Sequence, residues 1–129
     1  MKNLKDIILE KLVINKNTKI DKYHYHPKDK RELENIVKKL IDERGVNADL
    51  NDIDTSNVTD MAGLFLNSKF NGDISEWDVS NVENMTLMFR NSDFNGNIDK
   101  WNVKKVKVMA PMFSKSPLEK NPPSWYKKK

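Results

Sequence analysis

The apolar and polar positions of the chain repeat with a period of 24 residues. Residues 70–93, FNGDISEWDVSNVENMTLMFRNSD, align without a gap with residues 94–117, FNGNIDKWNVKKVKVMAPMFSKSP. The two segments share phenylalanine, glycine, isoleucine, tryptophan, valine and methionine in the same columns, and residues 46–69 follow the pattern less strictly. A repeat of this length is typical of units that stack to bury a common core, so the sequence predicts a short solenoid.

Each unit is predicted to contain a short strand and a short helix. In the middle unit ISEWDV, residues 74–79, has the bulky and β-branched residues of a strand. VENMTLMF, residues 82–89, places its apolar side chains on one helical face. Ser80 and Glu83 have the spacing of a capping box at the start of this helix. Gly96 is expected to adopt positive φ in the turn that closes the unit.

The C-terminal segment resembles a truncated fourth unit. Leu118 falls in the phenylalanine column and Trp125 in the tryptophan column. Pro122 and Pro123 cannot donate backbone hydrogen bonds to a neighbouring strand, so they are expected to end strand pairing and act as a cap.

The N-terminal part contains the most regular helical pattern of the chain. Asp29 is the predicted N-cap and Gly45 the predicted end of a helix that would close the first unit. Its apolar stripe consists of Leu33, Ile36, Val37, Leu40 and Ile41. Before it, KLVI and KIDKYHYH, separated by NKNT, predict a hairpin. The predicted organisation is a hairpin and capping helix (1–45), three repeats (46–117) and a truncated capping unit with a basic tail (118–129).

The strings FNGDISEWDVSNVENMTLMF, DTSNVTDMAGLF and FNGNIDKWNV resemble the BspA-like repeat family. This leucine-rich-repeat-like group occurs in bacterial surface proteins and in mycoplasma lipoprotein-like families. The resemblance covers residues 46–126 and implies an α/β fold, a right-handed leucine-rich-repeat-like solenoid with a parallel sheet. It implies neither catalysis nor a cofactor, and in surface-exposed members it implies binding to proteins or host matrix.

Charge is segregated along the chain although the net charge is only +4. Residues 46–93 carry nine acidic and two basic side chains, whereas residues 94–117 carry one acidic and five basic ones. The absence of cysteine excludes disulfides and thiolate metal sites. No apolar run has the length of a signal-peptide core or a membrane span, so we expect a cytoplasmic chain, or a cell-surface one if the sequence is a trimmed fragment.

Two polar patterns offer candidate metal sites, and neither is preferred. His24 and His26 would share one face of a strand, which suits two ligands of one metal, but no third ligand is evident, and the solvent-facing side of a strand whose Tyr23 and Tyr25 face the core is the favoured interpretation. The column Asp54, Asp78 and Asn102 offers oxygen ligands for calcium, although the repeat explains these residues as turn formers. Phosphate-binding loops and nucleophile elbows are not found, so the sequence does not predict an enzyme or a cofactor.

Lysines lie beside tryptophan in KWNVKKVKV and SWYKKK, a mixture that suits nonspecific nucleic-acid binding. Because the repeat assigns Trp101 and Trp125 to the core, this is the weaker interpretation. We predict a monomeric, non-enzymatic protein-binding module that uses the exposed sheet or its acidic flank. The candidate contact residues are Glu76, Asp78, Lys100 and Asn102. A surface adhesin fragment and a small intracellular inhibitor of a protein–nucleic acid machine are the alternatives.

Overall fold

The computed structural model describes residues 22–126 of the chain. Its helices are α1, an α-helix over Lys30–Arg44, and a single 3₁₀ turn over Pro117–Glu119. The predicted N-terminal hairpin falls mainly on residues 11–21, which lie outside the described residues.

Helix α1 forms where the apolar stripe predicts it. The Asp29 carboxylate accepts a hydrogen bond from the Glu32 amide at 2.9 Å, and Glu32 in turn accepts from the Lys28 amide at 3.0 Å. Gly45 ends the helix with φ of 94°, and its amide donates to the Ile41 carbonyl. Leu33, Val37 and Leu40 are buried in the main core. The helix prediction is therefore confirmed, including its N-cap and its terminal glycine.

The predicted leucine-rich-repeat-like α/β solenoid of strand–helix units is wrong, because the described residues contain no strand and no sheet. Pairing between units is limited to isolated parallel bridges. Residues 74–79 and 82–89, where the strand and the helix were predicted, consist of turns, one isolated bridge and irregular backbone. The bridges join Tyr25 to Ile53, Asp49 to Asp73, Asp60 to Asn84, and Asn84 to Val108.

Polar side chains that bend the backbone explain why neither element forms. The side-chain oxygen of Asp73 accepts a hydrogen bond from the amide two residues later, and Asp78 and Asn84 do the same, at 2.9–3.0 Å. Such turns recur every five or six residues. No segment between them is extended for long enough to form a strand, and none stays helical for two turns. The predicted capping box is also wrong, since Ser80 donates to Asp78 and Glu83 pairs with Lys107.

A further corner of each unit is made by backbone in the left-handed region. Asn67, Asn91 and Lys115 occupy equivalent positions and have φ of 59°, 53° and 58°. Gly96 does not adopt the predicted positive φ. It is needed for space instead, because an added Cβ would lie 2.6 Å from the Phe94 ring, and at the equivalent Gly72 it would lie 1.9 Å from the Ala48 carbonyl oxygen.

Equivalent residues of successive units contact one another in the 24-residue register. The rings of Phe65, Phe89 and Phe113 stack with centroids 5.5 and 5.7 Å apart. Phe70 and Phe94 form a parallel stack at 6.1 Å, and each packs against a ring of the first stack. The core is thus a column of aromatic rings that runs through all three units.

A second column contains Ile53, Trp77, Trp101 and Trp125, and we call it the tryptophan column. Each indole N–H donates to a backbone carbonyl 27 residues earlier. The acceptors are Leu50, Ile74 and Ile98, at 2.9, 3.1 and 2.8 Å. Tyr25 lies beside Ile53 and extends the column at its N-terminal end.

Candidate functional site

The four predicted contact residues flank the tryptophan column, two on each side. Glu76 and Lys100 precede the tryptophans of their units, and both side chains are exposed. Together with Ser75 and Asn97 they line one shallow cavity of about 170 Å³. Asp78 and Asn102 follow the tryptophans and are also exposed. The structure therefore brings Glu76 and Lys100 together.

Asp78 and Asn102 have a structural task that Glu76 and Lys100 do not share. Asp78 Oδ1 accepts from both the amide and the hydroxyl of Ser80, and Asn102 Oδ1 accepts from the Lys104 amide at 3.2 Å. The side chains of Glu76 and Lys100 make no hydrogen bond or ion pair with the described residues. These two charges are thus available to a partner on this face.

At the N-terminal end of the face, an ionic cluster surrounds Asp52. Arg44 donates from Nη1 and Nη2 to the two carboxylate oxygens of Asp52, both at 2.9 Å, and also from Nη1 to the Asp49 carbonyl. His24 Nδ1 lies 2.9 Å from Asp52 Oδ2. The bonds from Arg44, and then the bond from His24, hold the pKa of Asp52 well below its ordinary value. The cluster joins α1, the segment before it and the first repeat.

This cluster borders a pocket of about 470 Å³ lined by Lys22, Tyr23, Arg44, Asp49, Asn51, Asp52 and Glu76. Sequence reasoning did not single it out, because the pairing of Arg44 with Asp52 depends on how the end of α1 meets the first repeat. The one signal was the position of Arg44 eight residues before Asp52, which separates them by a helix end and a turn.

The two histidines are not brought together as ligands of one metal. His24 pairs with Asp52, while His26 lies 3.5 Å from Asp54, so the imidazoles engage different carboxylates. Asp54 also accepts from the amide and hydroxyl of Ser56, and these bonds lower its pKa. Within residues 22–126, no group of three or more histidine, aspartate or glutamate side chains could hold a metal ion.

The lysines of the third repeat form a basic rim where the first two repeats carry neutral or acidic residues. Lys107 Nζ lies 2.7 Å from Glu83 Oε1, and Lys105 Nζ donates to Asn81 Oδ1 at 2.9 Å. Lys107 lowers the pKa of Glu83, and Glu83 raises that of Lys107. Trp101 is only 5% exposed. Its ring therefore packs within the fold and offers no open face for base stacking.

Beside this rim lies a groove with a volume of about 550 Å³. Most of its lining is apolar. It is formed by Trp101, Asn102, Val103, Lys104, Val106, Met109 and Trp125. The face around the tryptophan column thus has an ionic pocket at one end, the Glu76–Lys100 cavity in the middle and an apolar groove with a basic rim at the other end.

Comparison with known proteins identifies a family but no characterised relative. Residues 15–128 match the family model described as "Mycoplasma protein of unknown function, DUF285". No curated protein and no solved structure matches the chain. None of the helices in the described part of the chain is long and apolar enough to cross a membrane.

Proposed function

The chain belongs to the DUF285 family of mycoplasma proteins of unknown function, and we propose that it is a non-enzymatic protein-binding module. Its binding surface is the face around the tryptophan column. The observation that carries the proposal is the pair of exposed, unpaired charges at Glu76 and Lys100, which share one cavity on this face.

The rigidity of the face supports recognition. The tryptophan beneath each exposed position is fixed by an indole hydrogen bond to the preceding unit. The corner residues on either side are fixed by side-chain bonds to the backbone. A surface whose charged groups stand on fixed positions loses little conformational entropy when it binds.

The change of charge along one column gives the face a means of selecting a partner. The residue before the tryptophan column is Asp52 in the first repeat, Glu76 in the second and Lys100 in the third. A partner must therefore present positive charge towards the second repeat and negative charge towards the third. Complementary charges of this kind favour one partner and one orientation, and they raise the rate of association.

The experiment is an affinity capture with charge-reversed variants. The immobilised chain is incubated with nuclease-treated mycoplasma extract, and the bound proteins are quantified by mass spectrometry. E76K and K100E should each reduce capture of the same protein at least fivefold. D42K makes the same change of charge as E76K at an exposed position of α1, and it should leave capture unchanged. Equal capture by all four chains would contradict the proposal.

A further inference from the structure

The backbone of residues 103–109 forms an edge to which no described residue after the third repeat makes a backbone hydrogen bond. The described part of the fourth unit, residues 118–126, reaches in the 24-residue register only the equivalent of residue 102, and Trp125 and Tyr126 also pack on Phe113. In the two earlier repeats, the segment equivalent to 103–109 is covered by the next unit. We call residues 103–109 the open edge.

Backbone bonding of the covered segments shows what the open edge can accept. The Thr59 carbonyl accepts from the Glu83 amide at 2.7 Å, and the Glu83 carbonyl accepts from the Lys107 amide at 2.8 Å. The Met61 amide donates to the Asn84 carbonyl and the Met85 amide to the Val108 carbonyl, both at 2.9 Å.

The equivalent groups of the open edge, the Lys107 carbonyl and the Met109 amide, have no backbone partner among residues 22–126. An extended chain can bond to both groups at once, as a strand adds to the edge of a sheet.

The side chains at the open edge are apolar at the centre and basic at the rim. Val108 is 44% exposed, and the groove of about 550 Å³ lies beside it. Lys104, which lines the groove, makes no side-chain hydrogen bond or ion pair with the described residues. The equivalent residues of the first two repeats are Ser56 and Ser80, so this positive charge is particular to the edge.

We propose that the open edge docks an extended, acidic segment of a partner protein. The segment would bond to the Lys107 carbonyl and the Met109 amide, place an apolar side chain in the groove, and direct carboxylates at Lys104 and Lys107. The fold already contains one instance of this last contact, since Glu83 pairs with Lys107 across two units. The inference rests on the proposed function and assigns a defined partner chemistry to the end of the face that carries the apolar groove.

Charge argues against the other occupants of this edge. A second copy that docked edge to edge would bring its own Lys104, Lys105 and Lys107 against the same lysines. The residues outside the described part of the chain are also basic overall, with five lysines and three acidic residues in 1–21 and three lysines in 127–129. Acidic residues are the complement that this edge lacks.

The probe is a capped synthetic peptide with the sequence of residues 76–86, EWDVSNVENMT. It carries three acidic residues and no basic one. Its central residues cover the equivalent edge of the first repeat within the fold, where Glu83 bonds to Thr59. The labelled peptide is titrated with the full chain by fluorescence anisotropy at low and high salt, and a peptide with Glu83 replaced by lysine serves as the matched probe.

We expect saturable binding that weakens at high salt and weakens at least tenfold with the lysine peptide. K104E and V108D should each weaken binding tenfold or more. K69E and L66D make the same changes at an exposed lysine and at a 37% exposed leucine of the first repeat, and they should have no effect. Bound peptide should slow hydrogen exchange at the Met109 amide, while the Met85 amide stays protected throughout.

Several results would overturn the inference. Failure of the peptide to bind at millimolar concentration, or binding that K104E and V108D leave unchanged, would exclude an acidic segment at this edge. Slow hydrogen exchange at the Met109 amide without peptide would show that the edge is already occupied. The occupant would be a second copy if sedimentation reveals a dimer, and another part of the same chain if it reveals a monomer. Tighter binding of a single-stranded oligonucleotide that displaces the peptide would assign the edge to nucleic acid. None of these results would affect capture through Glu76 and Lys100, so the proposed function is tested separately.

Discussion

Some residues recur in successive units because there is no room for a larger side chain, and others because of the backbone conformation they adopt. Gly72 has no room for a side chain, since a Cβ would lie 1.9 Å from the Ala48 carbonyl oxygen, a backbone atom that cannot move aside alone. We expect G72A to lower the free energy of unfolding by about 3 kcal/mol or more. Gly45 has φ of 94° and ψ of 171°, and an added Cβ would meet nothing within 4 Å, so G45A should cost about 1–2 kcal/mol through backbone strain alone. Urea unfolding of both variants measures the difference, and equal losses would contradict the steric explanation.

Lys115 provides a prediction of the opposite sign. It adopts φ of 58° at a corner where the other two units have asparagine, a residue that tolerates this region better. We expect K115N to raise the free energy of unfolding by about 0.5–1 kcal/mol, because it removes strain from the folded backbone. K69N replaces an exposed lysine outside the left-handed region and should change stability by less than about 0.3 kcal/mol. A loss of stability in K115N would show that the asparagine preference has another cause.

At the scale of elements, the sequence predicts α1 well and the repeated unit badly. The stripe of α1 lies within a 15-residue helix that has capping residues at both ends, so no competing structure satisfies it. The apolar spacing at 82–89 covers barely two turns, and Asp78 and Asn84 offer the backbone local hydrogen bonds that a strand or helix would have to break. Periodicity therefore identified the buried residues of the unit but not the path of the backbone between them.

The same competition explains which part of the candidate site was predictable. Exposure of Glu76 and Lys100 follows from their position beside a core tryptophan, and it could be expected from the repeat. The cluster of Arg44, His24 and Asp52 depends on how α1 meets the first repeat, and no local pattern encodes that meeting. The same holds for the open edge, which depends on which residues the next unit covers.

The corner at Asp78 distinguishes the observed turn from the capping box that the sequence suggested. If the side chain of Asp78 holds the corner, D78A should lower the free energy of unfolding by about 1 kcal/mol. D78N should retain most of the wild-type stability, because Asn102 makes the equivalent bond in the third repeat. A helix capped by Ser80 would instead make S80A the more damaging change. Thermal unfolding ranks the stabilities of the three variants. If S80A is less stable than D78A, the side chain of Asp78 does not hold the corner.

At the scale of the whole molecule, Asp52 connects three parts of the chain, and this makes stability depend on pH in a defined direction. Its side chain is 18% exposed and bonded to Arg44 of α1 and to His24 of the preceding segment. Because these bonds lower its pKa in the folded state, they stabilise the fold above the pKa of the unfolded chain, near 3.8. That stability is lost as the pH falls from there towards the lower, folded pKa. The lowered pKa values of Asp54 and Asp73 act in the same sense.

We therefore expect D52N to be less stable than the wild type by about 1–2 kcal/mol at pH 5, and the difference to shrink steadily as the pH is lowered from 4 to 2. Urea unfolding at half-unit steps of pH measures this difference in unfolding free energy. D93N is the control, because the exposed Asp93 side chain has no partner among the described residues.

The three parts that Asp52 joins should unfold together. Helicity at 222 nm, which reports α1, and tryptophan fluorescence, which reports the repeats, should therefore give coincident unfolding curves in the wild type. If helicity is lost before the fluorescence changes in D52N, this one carboxylate couples α1 to the repeats. If the difference in unfolding free energy between D52N and the wild type stays constant from pH 5 to pH 2, the ion pair does not account for the acid sensitivity.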